Sequence, residues 1–472
     1  MARTTALSSE ELEQIDSVWK APGLKPTLVA VFCAFGGWAL LLPVIPLAII
    51  DNGGSDGLAG LSTGVFMGAT VLTQAFTPRV LRAVGYMPVM FVAGLLLGIP
   101  AIIYAADMSA GTVLVVAAIR GVGFGAATVT EAALIAELVP PRLVGRSSGV
   151  FGATVGIAQL LSFPLGMWLY GSFSMIVVLL VASVYSVVGG IAALQLPRPR
   201  DEHAEHAELA AEHGDTTGAH AGHGTGHGTG DDAEALEHST ESMDFTPARP
   251  RASTWKLVTI PGFAIGAAAG GFAAFSTFLA PAAAQLDASA AATISGFTLS
   301  IIGGMQIMTR LFSGWYADRV GEPGRLYGIG LLLCLLGLAA AAATITAGSS
   351  GLTLALCALG SAALFGAGFG VVQTEALLMM FDRLPREESA KASALWNMTF
   401  DSGTGLGAVV LGFVAGAFAY QGAFVASAAV VTVALIAAGL DRVVGRHRIS
   451  EYNNVRETLR SLRQRSGAKK DK

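Results

Sequence analysis

Long apolar runs, each about the length of one membrane crossing, alternate with short polar interruptions from residue 26 to residue 441. A helix needs roughly 20 apolar residues to cross the hydrocarbon layer. Twelve runs reach that length, near 26–50, 58–78, 86–106, 111–138, 148–171, 173–195, 255–281, 291–315, 326–347, 352–380, 390–418 and 422–441. Helices are the expected form, because each satisfies its own backbone hydrogen bonds in lipid. A β-barrel would need alternating segments of about 10 residues, and the chain has no such pattern. The pattern predicts an all-α membrane protein with twelve transmembrane helices. Composition agrees: 53% of the residues are apolar, 13% are charged and mean hydropathy is +0.61. Soluble domains carry about a quarter charged residues.

Charge orients the spans. Of the 29 Lys and Arg residues, all but Arg120 and Arg310 fall on one side, among them Arg79, Arg82, Arg142, Arg146, Arg325, Arg383, Arg386 and Lys391. The opposite loops hold Asp51, Asp56, Asp107 and Asp287 and no basic residue. The positive-inside rule places both termini and the middle loop in the cytoplasm of a multi-pass protein of the cell membrane. No basic region with a short apolar core and cleavage site opens the chain, so the first span is expected to serve as the insertion signal. Cys33, Cys334 and Cys357 each sit in an apolar run without CxxC spacing, which predicts small buried thiols.

These features divide the chain into five parts. Residues 1–25 include a capped amphipathic helix from Ser8 to Trp19, with Leu12, Ile15 and Trp19 on one side. A six-span unit at 26–195 and a second at 254–441 flank a polar linker, 196–253. A basic tail, 442–472, suits anionic headgroups better than nucleic acid, given the topology.

The two six-span units share text. Gly123-Phe124-Gly125 with Thr130-Glu131-Ala132 corresponds to Gly368-Phe369-Gly370 with Thr374-Glu375-Ala376. LTQAFTPRVLRAVG at 72–85 aligns with MTRLFSGWYADRVG at 308–321. Two matches in the same order argue for duplication of a six-helix unit. Two halves rocking about a midplane site are a known transporter solution.

At these residues the sequence resembles the major facilitator superfamily. The signature loop of that family, G-x-x-x-D-R-x-G-R-R, is similar to Gly314, Asp318, Arg319 and Gly321, with Glu322 and Pro323 in place of the trailing basic pair. In the first half Pro78 and Arg82 stand where Gly and Asp are expected, and Gly85 is retained. Arg120-Gly121-Val122-Gly123-Phe124-Gly125 resembles the family's fourth-span arginine pattern. Gly152 and Gly156, followed by Pro164 and Gly166, resemble part of the antiporter signature. The resemblance implies two pseudo-symmetric six-helix bundles, a gating role for Gly314, Asp318, Arg319 and Gly321, and drug- or metabolite-for-proton exchange.

Ionisable residues inside spans are expensive, and usually face a bundle interior or wet cavity. Here they are Arg120, Glu131, Arg310, Glu375 and Asp401. Residues 120 and 131 are eleven apart, which returns to within about 20° of the same helix face, roughly 16 Å along the axis. Arg120, Phe124, Ala127 and Glu131 thus form one stripe. Glu131 and its repeat partner Glu375 could face each other across the pseudo-twofold axis. Asn397, Asp401 and Thr404 form a second polar stripe. Glu131, Glu375 and Asp401, with Asn397 beside them, are candidate proton or cation sites. Arg120 would tune them or clamp an anionic substrate group. Structural pairing and snorkelling are the plain alternatives.

Phe35, Trp38, Phe124, Phe278 and Trp396 could line a cavity or simply pack. Gly152/Gly156, Gly266/Gly270 and Gly412/Gly416 have spacing that lets helices approach closely.

In the linker, His203, His206, His213, His220, His223, His227 and His238 stand among acids without Lys or Arg between Asp201 and Asp244. Such composition reads as a disordered tether, or as a weak divalent-metal buffer or sensor, though no folded zinc-site spacing is present. No resident cofactor is expected. A nucleophile–base set, an HExxH and a GK[ST] phosphate loop are absent from the sequence, so the reading is a carrier rather than an enzyme or ATP-driven pump. The expectation is a monomeric secondary transporter, in lipid and without nucleic acid, that exports a small organic molecule against protons. Proton-coupled metabolite uptake, and export of a metal or metal chelate, are the alternatives.

Overall fold

A computed structural model of the chain describes residues 14–140, 143–196, 254–320, 322–384 and 389–444. Every regular element among them is helical. The first half contains α1 (Leu24–Leu41), α2 (Val44–Asp51), α3 (Asp56–Val84), α4 (Tyr86–Gly98), α5 (Ala110–Glu137), α6 (Val144–Ser172) and α7 (Met175–Ala193). The second contains α8 (Thr254–Leu286), α9 (Ala291–Val320), α10 (Tyr327–Thr346), α11 (Gly351–Arg383) and α12 (Ser389–Val444).

Among the described residues, eleven helices are long and apolar enough to cross a membrane. The first counts α1 and α2 together across Leu42–Pro43, and the third adds a 3-10 stretch, Ile99–Ala105, to α4. Twelve were predicted from the sequence. The difference lies in α12, which is broken at Phe418 (φ −127°, ψ 19°) and Ala419 (φ 58°, ψ 179°). A positive φ at alanine is sterically costly and interrupts the helical ladder. The two arms of α12 occupy the predicted spans 390–418 and 422–441.

Turns between the helices are fixed by local chemistry. Ser55 caps α3 by accepting from the Leu58 N–H at 3.1 Å. Before α5, Asp107 accepts from Ser109 N–H (2.8 Å), Ser109 Oγ (2.7 Å) and Thr112 Oγ1. These donors hold its carboxyl below the usual carboxylate range. Asp287, before α9, is lowered in the same way, chiefly by Ser289, and also accepts from the Gly351 N–H of α11.

Two sequence expectations change here. Cys33 and Cys334 are buried, but Cys357 is exposed on α11. Ile15 is buried against Leu24, Ile135 and Val139, whereas Trp19 is 55% exposed. The single apolar face predicted for 8–19 is therefore not kept. Ser17 is extended (φ −141°, ψ 136°) ahead of the short 3-10 turn Val18–Lys20, so no continuous helix keeps Trp19 on the Ile15 side. Leu12 lies outside the described residues.

The halves meet along α3–α12 and α6–α9. On the side of the acidic loops they touch closely. A Cβ on Gly60 would stand 2.2 Å from Ala408 O, and one on Gly296 would stand 3.0 Å from Pro164 Cα. The Tyr420 hydroxyl donates to Asp56 Oδ1 at 2.8 Å. Toward the basic loops, Gly149, Gly152, Gly303 and Gly314 have nothing within 4 Å of a built Cβ. The halves are therefore in close contact on the acidic side.

Within the second half, Gly266 and Gly270 of α8 lie against Gly403 and Gly407 of α12. Only small residues let two helix backbones come this near. By contrast, Gly152 and Gly416 of the predicted pairs have no near neighbour. A Cβ at Gly403 would meet Gly266 O at 2.3 Å, whereas one at Gly439 meets nothing within 4 Å. Gly403→Val should therefore cost about 1–3 kcal/mol of stability as overpacking, read as a lower melting temperature in detergent. Gly439→Val should melt like the parent; equal melting of the two variants would contradict the packing.

Candidate functional site

The predicted stripe on α5 is buried throughout: Arg120 is 5% exposed, Phe124 3%, Ala127 2% and Glu131 0%. Arg120 Nε donates to Leu97 O at 2.9 Å, and its guanidinium lies 5.4 Å from the Phe66 ring centroid. It also hydrogen-bonds the Tyr104 side chain. Every one of these partners is neutral. Arg120 borders a cavity of about 30 Å³ together with Trp38, Ser62, Thr63, Phe66 and Tyr104.

Glu131 borders a second cavity of about 20 Å³, walled by first-half residues including Cys33, Gly94, Leu97, Tyr185 and Ser186. Neither of its carboxylate oxygens has a hydrogen-bond partner among the described residues. Each cavity is large enough for a water molecule, which needs about 10–15 Å³.

Glu375 occupies the same repeat position in different surroundings. It is 1% exposed. Its Oε1 accepts from Ser313 Oγ at 2.8 Å, and its Oε2 from the Gly324 N–H at 2.5 Å. The expectation that Glu131 and Glu375 face each other is thus corrected, since each points into its own half. The reason lies in the loops. Residues 322–326 precede α10 and bring a backbone donor to Glu375. In the first half Gly85 alone separates α3 from α4, so no such donor reaches Glu131.

Asp401 sits where the halves meet. It is 7% exposed and accepts from Gln74 Nε2 of α3 at 2.8 Å. The same nitrogen lies 3.3 Å from Thr128 Oγ1 of α5. Gln74 Oε1 is buried without a partner. The second polar stripe runs from exposed Asn397, whose Nδ2 donates to Ser393 O, through Asp401 to buried Thr404. Gln74 was not singled out in the sequence. Its signal was its alignment with the intramembrane Arg310 in the repeated block.

The aromatic residues divide. Trp38 borders the Arg120 cavity and stacks on Phe124, with centroids 5.3 Å apart at 13°. The second half repeats this with Phe272 on Phe369, at 5.6 Å and 13°, a pair that sequence reasoning missed. Phe163 of α6 meets Phe272 across the halves at 6.3 Å. Phe35 packs on Phe124 at 5.4 Å. Trp396 stacks on Phe400 and donates to Gln373 O at 3.1 Å. Phe278 does not line a cavity; it is 0% exposed, near Tyr420 in the second-half core. Such packing follows from the all-round apolar character of α8, which has no polar stripe to mark a wet face.

In the predicted gating loop, Gly314 stands free of close neighbours and Arg319 lies 4.4 Å over the Trp315 ring. The Asp318 side chain and Gly321 fall outside the described residues. His203, His206, His213, His220, His223, His227 and His238 fall outside them too. Among the described residues no cluster of three or more His, Cys, Asp or Glu could hold a metal.

The two repeat-related glutamates should respond differently to neutralisation. Glu375→Gln weakens charge-assisted hydrogen bonds from Ser313 Oγ and the Gly324 N–H and should cost about 1.5–3 kcal/mol, seen as a lower melting temperature. Glu131→Leu replaces an unpartnered buried acid and should leave melting unchanged or raised. The opposite ranking would contradict the placement of both side chains.

The Major Facilitator Superfamily model matches residues 27–403. The purine ribonucleoside efflux pump NepI of Escherichia coli (strain K12) is 28% identical over 152 residues, 31% of this chain and 38% of NepI. An uncharacterized MFS-type transporter of Mycobacterium tuberculosis (strain ATCC 25618 / H37Rv) is 27% identical over 139 residues, 29% of this chain and 20% of that protein. The chain thus spans well under half the length of these relatives. Among solved structures, a bacterial homolog of the human lysosomal transporter Spinster, inward-facing and unoccupied, aligns with a TM-score of 0.66 at 15% identity. That alignment covers 93% of this chain and 100% of the other. A repeated six-helix architecture, acids and one guanidinium enclosed within it, and a family match across most of its length establish that the chain belongs to the major facilitator superfamily.

Proposed function

We propose that this chain exports a small organic molecule in exchange for protons by alternating access. The observation that carries the reading is Asp401 at the seam, held by Gln74 of the opposite half. Any rocking of one half on the other must alter that hydrogen bond, because its two ends ride on α12 and α3. As a carboxylate, Asp401 accepts a bond from a neutral amide, a charge-assisted contact stronger than a neutral one. Once protonated, it gains a donor of its own, and the buried Gln74 Oε1 offers an acceptor. Proton uptake therefore exchanges one pairing for another at the joint and biases which arrangement is favoured.

The observed arrangement closes on the acidic-loop side and holds Asp401 in its acceptor role. In an exchanger this is the form that has given up its proton and can accept cargo from the side of the basic loops. Glu131, desolvated and without a partner, is the second acid that could carry a proton. Similarity to an efflux pump supports the export direction.

The test uses proteoliposomes with an imposed pH gradient and a radiolabelled purine ribonucleoside, the class named for the E. coli relative. Asp401→Asn should lower gradient-driven flux at least about tenfold, the loss of roughly 1.4 kcal/mol of coupling, while solute exchange without a gradient persists. Gln74→Leu should weaken coupling less. Full gradient-driven flux in Asp401→Asn would overturn the coupling assignment.

A further inference from the structure

Arg120 is the one intramembrane cation whose neighbours are all identified and all neutral: a backbone carbonyl, a phenol and an aromatic face. Among the described residues no carboxylate lies within 4.0 Å of it. Glu131, further along the same face, borders a different cavity and shares with it the wall residue Leu97. A guanidinium removed from water without a counter-charge is costly, by several kcal/mol per ion. The interactions present offset only part of this, since a cation–π contact contributes about 0.5–2 kcal/mol.

Trp38 borders the same cavity. Trp38 is 4% exposed, and its indole N–H is buried without any acceptor. Stacking on Phe124 fixes the ring in place, so the unpartnered donor is held rather than free to turn away. Indole can only donate. Thr63, 5% exposed, adds a hydroxyl to the wall. A buried cation without an anion and a buried donor without an acceptor thus line one small cavity. A water could satisfy the donor but not the charge; an electron-rich, negatively charged guest would complete both.

We propose that this cavity binds a small anion, with Arg120 supplying charge and Trp38 a directed N–H. Its free space, about 30 Å³, suits a halide or a carboxylate head, the remainder of a larger molecule lying toward the seam. In the second case the cavity is the anionic subsite of the cargo, which rests on the carrier reading above. Anion binding itself does not depend on Asp401 or on protons, so the two accounts fail separately.

The full chain in nanodiscs, in chloride-free gluconate buffer, is titrated calorimetrically with bromide and, separately, with acetate. Saturable binding of at least one is expected. Trp38→Phe keeps the ring stack and removes the N–H, and should weaken binding about tenfold; Arg120→Gln should weaken it further, as loss of a charge-assisted donor. Bromide binding alone identifies an inorganic-anion site. Acetate binding, with or without bromide, identifies a carboxylate subsite. Melting curves establish that each variant is folded, and Trp38→Phe carries the test if Arg120→Gln is not. No saturable binding of either anion to the parent, or binding unchanged in a folded Trp38→Phe variant, would overturn the proposal.

Discussion

An ionised side chain carried into hydrocarbon loses its hydration, and protein must supply what water did. That requirement organises this chain. Glu131, Glu375, Asp401 and Arg120 are enclosed by helices rather than by lipid, and each is compensated differently. Glu375 is supplied on both oxygens, by Ser313 and by the Gly324 N–H. Asp401 is supplied by one amide from the opposite half. Arg120 has neutral partners only, and Glu131 has none. The degree of compensation is what distinguishes these four side chains.

The duplicated architecture makes this asymmetry legible. The Trp38–Phe124 and Phe272–Phe369 stacks show that the halves keep the same internal packing. Against that shared frame, residues 322–326 change the role of one glutamate by bringing it a backbone donor. The seam also depends on small residues. Gly60 and Gly296 permit close approach on the acidic side, while Gly149 and Gly314 stand clear on the basic side. Side chains also meet across the seam, Tyr420 with Asp56 and Phe163 with Phe272.

Much of this was readable from the chain. Span lengths, the duplication and the buried charges are set by hydrocarbon thickness and by the cost of charge, both of which act on local sequence. What escaped depends on three-dimensional meeting. Gln74 is an ordinary amide until α3 meets α12. Gly403 and Gly407 matter because Gly266 and Gly270 face them. The last two predicted spans lie on the two arms of α12, divided by the non-helical angles at Phe418 and Ala419. Phe278 was taken for a possible wall residue because helical spacing alone does not distinguish a wet face from a packed one.

The central claim is that the halves pivot about the Gln74–Asp401 joint. Spin labels at Gly111 and Ser350 on the acidic-loop side, and at Gly149 and Met308 on the basic-loop side, report it by paired distance measurements in nanodiscs. On acidification the first distance should lengthen as the second shortens, and Asp401→Asn should remove that pH response. Two distances that stay fixed, or that move in the same direction, would contradict the account.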